Sequence, residues 1–173
     1  MTTEAATTIM AHKPDEATFR AAMATFPTGV ALLTQGTGAD TNVMTLNCFA
    51  SVSLQPLLIM VGVGGSGRMR SQVSRRRTFA VNVLAAEQRE LSTLFARPDR
   101  PAGEAAMLRL GAIEGITGSA VVPSAVASFE CRLHAEYPGG DHILLVGRVV
   151  AIHCENPDRE PLLFHRSRYA SLT

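Results

Sequence analysis

The sequence predicts a mainly β domain with a few helices, its strands gathered into a barrel. Six or seven short apolar or alternating runs are separated by turn clusters, with antiparallel-style connections. The last two runs, residues 127–137 and 143–153, are joined by Pro138-Gly139-Gly140-Asp141-His142, a hairpin-like link. The chain has 173 residues, 46% of them apolar, which suits one domain with a sizeable core.

Residues 1–14 carry neither a basic leader region nor a long apolar run. They read as a disordered tail rather than a secretory signal, and residues 15–173 as the domain. Residues 15–25 predict an amphipathic helix: Phe19, Ala22, Met23 and Phe26 recur at helical spacing, and Pro27 ends it. Residues 30–34 are β-like, and 36–40 form a turn cluster. Strands follow over 43–46 and 50–54, with Asn47 and Cys48 between them. The continuous apolar run 57–63 predicts a fully buried strand. A short charged helix is expected over 68–77, a strand over 79–84, and a helix over 86–96 with Leu91 and Leu94 facing inward. Residues 97–118 show no clear pattern and read as a long excursion. In 127–137 the alternation is regular: Phe129, Cys131, Leu133 and Ala135 point one way, Glu130, Arg132, His134 and Glu136 the other.

Composition excludes several classes of function. The net charge is +1, from 16 basic and 15 acidic residues, so neither nucleic acid nor an anionic membrane is indicated as a partner. Tryptophan is absent. Cys48, Cys131 and Cys154 have neither disulfide-framework nor zinc spacing, which fits reduced thiols in a cytoplasmic protein and no metal. The uncharged run 41–67 is too broken by amides, hydroxyls, proline and glycines to cross a bilayer. It suits a buried, ligand-lined sheet.

Three motifs carry candidate chemistry. Gly62-Val-Gly64-Gly-Ser-Gly67 has the G-x-G-x-x-G form after an apolar strand, and Glu87 lies where a ribose-binding acid could sit. A Rossmann reading is disfavoured by the short basic helix that follows and by the lack of repeating βαβ units. The motif also reads as a plain flexible turn. As a glycine-rich turn opening a helix, with Ser66, Arg68 and Arg70 at its mouth, it could cradle a phosphate. The second motif is the uncharged stretch 44–53. Edge-strand hydroxyls are one reading of it. The density of Thr45, Asn47, Ser51 and Ser53 among apolar residues also suits a flat ring with polar and apolar edges, such as a flavin. The third, Gly140-Asp141-His142, is an ordinary hairpin turn or a site histidine.

Together these residues resemble the flavin reductase family, the small partners of two-component flavin monooxygenases. The resemblance runs from Asp15 to Leu172. It rests on Phe26-Pro-Thr-Gly-Val30, on Met44-Thr-Leu-Asn-Cys-Phe-Ala-Ser-Val-Ser-Leu-Gln-Pro56, on Phe79-Ala-Val-Asn-Val-Leu84, on Gly140-Asp-His142, and on Pro161-Leu-Leu-Phe-His-Arg-Ser-Arg-Tyr169. It implies a Greek-key-like, FMN-binding split β-barrel that reduces FMN or FAD with NADH or NADPH. It also implies a homodimer and a transient monooxygenase partner. By resemblance, Met44, Thr45, Asn47, Cys48, Ala50, Ser51, Val52 and Ser53 hold the flavin ring and ribityl chain, with Thr28 beside the ring. Ser66, Arg68 and Arg70 lie near the phosphate, and Arg168 and Tyr169 close the site. His142 faces the nicotinamide as the catalytic-site residue, in a positioning role. Two departures stand out: similar proteins usually have Ser in place of Cys48, and hydroxyl-rich runs in place of Gly67-Arg-Met-Arg70. A non-catalytic FMN-binding or electron-shuttling protein is the alternative.

Overall fold

A computed structural model describes residues 13–172. The tail expected over 1–14 falls outside the described residues except for Lys13 and Pro14. In chain order the elements are α1 (Glu16–Met23), β1 (Thr28–Gly29), β2 (Ala31–Gln35), β3 (Asn42–Leu46), β4 (Phe49–Leu54), β5 (Leu57–Gly64), α2 (Arg68–Arg76), β6 (Thr78–Val83), α3 (Arg89–Phe95), α4 (Gly103–Leu110), β7 (Ile113–Glu114), β8 (Ala120–Val121), β9 (Ala127–Gly139), β10 (His142–His153), β11 (Leu163–His165) and β12 (Arg168–Ala170).

Seven strands form one antiparallel sheet in the order β3-β2-β6-β9-β10-β5-β4. Its two edge strands are consecutive in sequence, linked only by Asn47 and Cys48. Laid flat, such edges would stand about 29 Å apart, six spacings of roughly 4.8 Å. Three residue steps from Leu46 to Phe49 reach at most about 11 Å. The sheet must therefore curl until its edges meet at that link. No β3–β4 ladder laces them; the bond from the Gly62 amide to the Cys48 carbonyl (3.2 Å) holds the link against β5. The result is a barrel split along one seam. A small second sheet, β1-β11-β12, joins the chain's first and last strands, pairing Thr28 with Phe164 and Gly29 with Leu163.

Two apolar clusters stabilise this arrangement through burial. The barrel interior is filled by Ala31, Leu33, Val61, Val63, Phe79, Val81, Cys131 and Leu145, plugged by Met69 and Val73 of α2. On the other face of β2, Val30 and Leu32 pack with Leu84, Phe95, Ala106 and Leu110, so α3 and α4 cover that side. Asn82 ties the layers together: its amide group donates to the Leu32 carbonyl and the Thr34 hydroxyl, while its carbonyl accepts from the Val122 amide and the Ser128 hydroxyl. The β9–β10 turn has Gly140 at φ +73, as a two-residue hairpin requires at its first central position.

Three sequence expectations are corrected, and the disfavoured Rossmann reading is excluded. All partners of β5 are antiparallel, so Gly62 to Gly67 does not open a Rossmann unit, and Glu87 pairs with Arg159 instead. β5 is not fully buried: Ile59, Val61 and Val63 are inside, but Leu58 and Met60 on the opposite face are half-buried and Leu57, at the strand's start, is 45% exposed. The stretch 97–118 contains α4, whose Ala106 and Leu110 are buried one turn apart and which ends at Gly111 in the left-handed region (φ +54). Glu130, placed on the polar face of its strand, is completely buried beneath residues 115–119.

Candidate active site

The seam opens into a cleft of about 540 Å³. Phe26, Thr28 and Gly29 form one wall, Asn47, Cys48 and Ala50 another, and Met60 the floor. A smaller cleft of about 240 Å³ lies beyond Asn47, bounded by Thr45, Ser92, Phe164 and Tyr169. Asn47 and Val30 line both. The Asn47 side chain is exposed and makes no hydrogen bond among the described residues, so its amide is available to a ligand. Thr28 Oγ1 is a buried atom without a partner. An orphaned hydroxyl in a mostly apolar cleft fits a ring system that brings polar atoms to one edge.

β4 completes the cleft as a free sheet edge. It pairs only with β5, and its register slips between Ser51 and Ser53, with Val52 as the extra residue. Ala50, Ser51 and Val52 are exposed and Ser53 half-buried. One edge of the strand thus offers unpaired backbone donors and acceptors without adding charge.

The smaller cleft is held by a short polar chain. Thr45 donates to the Ser92 carbonyl (2.7 Å), and the Ser92 hydroxyl bonds the Tyr169 hydroxyl (2.8 Å). Arg89 lies 5.1 Å from the centre of the Tyr169 ring, and Phe164 meets that ring edge-on at 5.6 Å. Ser92, fully buried, fastens β3 and β12 to α3 at once. Sequence reasoning missed it, because a serine beside Leu91 on a helix carries no pattern of its own.

His142 begins β10 opposite Gly64. Its Nδ1 bonds the Asp141 carboxylate at 2.8 Å, and this bond holds Asp141 below the usual carboxylate range. Pairing continues as Leu144 with Gly62 and Val146 with Met60, so His142, Gly62 and Met60 share one face of the sheet. A Cβ on Gly62 would come within 2.8 Å of Cys48 Sγ. Cys48 therefore lies over Gly62, one side-chain repeat from His142's neighbour Gly64. His142 stands beside the seam cleft without lining it.

The remaining expected residues are dispersed. Met44 packs against the barrel core rather than toward the cleft. Ser66 is exposed, Arg70 donates to the Gly65 carbonyl (2.9 Å), and Arg68 faces a separate cleft with Asn42 and Arg100. Arg168 lies on the outer side of Tyr169, beside His165 and Arg166. The structure thus brings Thr28, Thr45, Asn47, Cys48, Ala50 and Tyr169 around the two clefts, with Ser51 to Ser53 along the adjoining edge. Ser66, Arg68 and Arg70 stand at the start of α2. Among the described residues, no cluster of His, Cys, Asp or Glu could hold a metal ion, and no helix is long and apolar enough to cross a membrane.

Residues 23–173 match the flavin reductase like domain family. This chain belongs to that family. An NADH-dependent FMN reductase of Streptomyces nodosus subsp. asukaensis is 44% identical over 160 residues, covering 92% of this chain and 86% of its own. An NADH-dependent FAD reductase of Streptomyces globisporus is 36% identical, covering 90% and 85%. The reductase subunit of a flavin-dependent monooxygenase of Rhodococcus jostii is 30% identical, covering 95% and 82%. Among solved structures, the flavin reductase component of a bacterial two-component tryptophan halogenase superposes with a TM-score of 0.85 at 35% identity, covering 91% of this chain and 98% of that one. The mainly β fold with its helices is that of the flavin reductases. The seam at Asn47 and Cys48 falls within the segment that carried the resemblance.

Proposed function

We propose that this flavin reductase family member is an NAD(P)H:flavin oxidoreductase that reduces FMN or FAD and releases it to a separate flavin-dependent monooxygenase. The observation that carries the reading is the seam cleft, where the exposed Asn47 amide and the unpartnered Thr28 hydroxyl meet a free sheet edge. When both are bound, the nicotinamide supplies a hydride and the flavin accepts it.

The chain's own task is then to hold and align two rings and to exclude water. Thr28, Asn47, Cys48 and Ala50 bind the ring system, and the β4 edge from Ser51 to Ser53 offers backbone donors where reduced flavin carries negative charge. Thr45 and Tyr169 wall the far side, with Arg168 at the rim. Ser66, Arg68 and Arg70 serve the phosphate end at the start of α2. His142 orients the nicotinamide; a hydride transfer needs no proton abstraction, so it acts through position and charge. Exposed Val52, Leu54 and Leu57 at the same edge suit a second copy of the chain, and a cytoplasmic homodimer is the proposed assembly.

NADH and NADPH oxidation measured with FMN, FAD, riboflavin or no flavin tests the reading. Turnover should appear only when a flavin is present. Flavin binding without nicotinamide oxidation above the free-flavin background would show a binding or shuttling protein instead.

A further inference from the structure

Ser92 is completely buried where α3 meets β12. Among the described residues its hydroxyl has one hydrogen-bond partner, the Tyr169 hydroxyl at 2.8 Å. Either oxygen could donate across that distance, but the two are not equivalent. A serine hydroxyl carries a single proton, and a buried proton left without an acceptor is costly. A helical serine can give its proton to the carbonyl one turn back; Ser92 makes no such bond. Ser92 is therefore the donor and the Tyr169 oxygen the acceptor.

The neighbouring protons are directed in the same way. Thr45 gives its proton to the Ser92 carbonyl (2.7 Å), so toward the smaller cleft it offers lone pairs. Thr93 has the Arg89 carbonyl at 3.1 Å and the Tyr169 hydroxyl at 3.4 Å, too long to compete strongly for the phenol. With its oxygen already accepting from Ser92, Tyr169 turns its own proton into the cleft that it and Thr45 line. The ring has little freedom to do otherwise. Arg89, one turn before Ser92 on α3, lies 5.1 Å from the ring centre, and Phe164 meets its edge at 5.6 Å. One turn of α3 thus holds Tyr169 twice, by the ring through Arg89 and by the hydroxyl through Ser92.

We propose that Ser92 is a positioning residue of the reductase, acting through Tyr169. It fixes the Tyr169 hydroxyl as a hydrogen-bond donor into the smaller cleft, beside Thr45 as an acceptor. Its effect on turnover rests on the oxidoreductase reading above.

Two measurements test it. Ser92→Ala removes the hydroxyl and keeps the carbonyl that holds Thr45. Alanine suits a helix, so its thermal midpoint should stay close to that of the wild type. Turnover of FMN with NADH is measured for Ser92→Ala, Tyr169→Phe and the double variant. Ser92→Ala should lower kcat/KM about three- to tenfold, the scale of one neutral hydrogen bond, and Tyr169→Phe at least as far. Adding Ser92→Ala to Tyr169→Phe should then cost nothing more. A loss carried by the FMN KM sets Tyr169 against the flavin, and one carried by the NADH KM sets it against the nicotinamide. The same loss in both backgrounds would make Ser92 merely structural, and turnover of Ser92→Ala equal to wild type would also overturn the proposal. The second measurement needs no turnover. The chain has two tyrosines, so Tyr137→Phe leaves Tyr169 alone, and the Raman ring doublet of a tyrosine reports whether its hydroxyl accepts or donates. The doublet should be that of a phenol that accepts and donates, and adding Ser92→Ala should convert it to that of a donor. An unchanged doublet overturns the proposal even where NADH is oxidised. A converted doublet in a protein that oxidises no NADH would instead support the Ser92–Tyr169 assignment and overturn the oxidoreductase reading alone.

Discussion

At Asn47 and Cys48 the chain crosses from one edge of the barrel to the other, and the same two residues line the cleft that this crossing creates. The thiol makes the site readable. Cys48 and Cys154 are exposed, whereas Cys131 is buried and its pKa is pushed up to about 12 by that burial and by the neighbouring Glu130. Iodoacetamide at mildly alkaline pH should therefore modify Cys48 and Cys154 and spare Cys131. FMN should protect Cys48 alone, as read by peptide mass spectrometry; equal labelling with and without flavin would place the ring elsewhere. His142 supports a second prediction. His142→Ala should slow hydride transfer or raise the NADH KM about 10- to 100-fold, equivalent to roughly 1.4–2.7 kcal/mol. Stability should change by no more than about 0.5 kcal/mol, since the side chain stands at an exposed turn. Unchanged kinetics would leave His142 as a turn residue. Asn47 and Cys48 were legible in the sequence as the link between two strands; Asn47 stood out as a polar residue interrupting an apolar run, and Cys48 as a site candidate came only from the family resemblance. Ser92 was not, because its role arises only when β3 and β12 arrive on either side of α3.

Among the elements, β9 shows where local pattern stops being sufficient. Its alternation correctly separates Glu130 from Phe129 and Cys131, but the segment after β7 folds over the polar face and encloses the carboxylate. The Glu130 carboxylate accepts from the Thr117 amide and hydroxyl (2.8 Å each) and pairs with His153 Nε2 (2.8 Å). Burial works to raise its pKa, and the bonds from His153, Thr117 and the Ile116 amide more than offset this, so it lies below its ordinary 4.5. A lowered folded-state value means that the ionised carboxylate stabilises the fold above about pH 4.5 and that this contribution fades as pH falls through the lower, folded-state value. Glu130→Gln should cost about 1–3 kcal/mol at neutral pH, because bonded donors lose a charged acceptor. It should also flatten the acid limb of stability, measured as urea midpoint against pH; a mutant curve parallel to wild type would refute this role. α4 was missed for a related reason. Its start has no side-chain cap, and only Ala106 and Leu110 are buried. The Leu110-Gly111 stop was the available signal.

For the whole molecule, the strands of the main sheet and the β9–β10 hairpin were readable, because alternation and turn residues are local; the short strands β1, β7, β8, β11 and β12 were not. The order of strands was not. Closure follows from one long-range fact, that consecutive strands β3 and β4 occupy opposite edges of the sheet. The motif around Phe26 and the one ending at Tyr169, far apart in sequence, meet through the pairing of β1 with β11, and Val30 of the first walls the smaller cleft together with Phe164 and Tyr169 of the second. The smaller cleft adjoins the seam through Val30 and Asn47, which supports the flavin site proposed there. The most direct test mixes protein and FMN anaerobically with NADH and follows the loss of flavin absorbance, for the wild type and for Asn47→Leu, which places an apolar side chain where an exposed amide stood. The account predicts bleaching at a rate proportional to wild-type protein, and a rate near the free-flavin background for the variant with an unchanged circular dichroism spectrum. Wild-type bleaching no faster than free flavin, or a variant as fast as wild type, would contradict it.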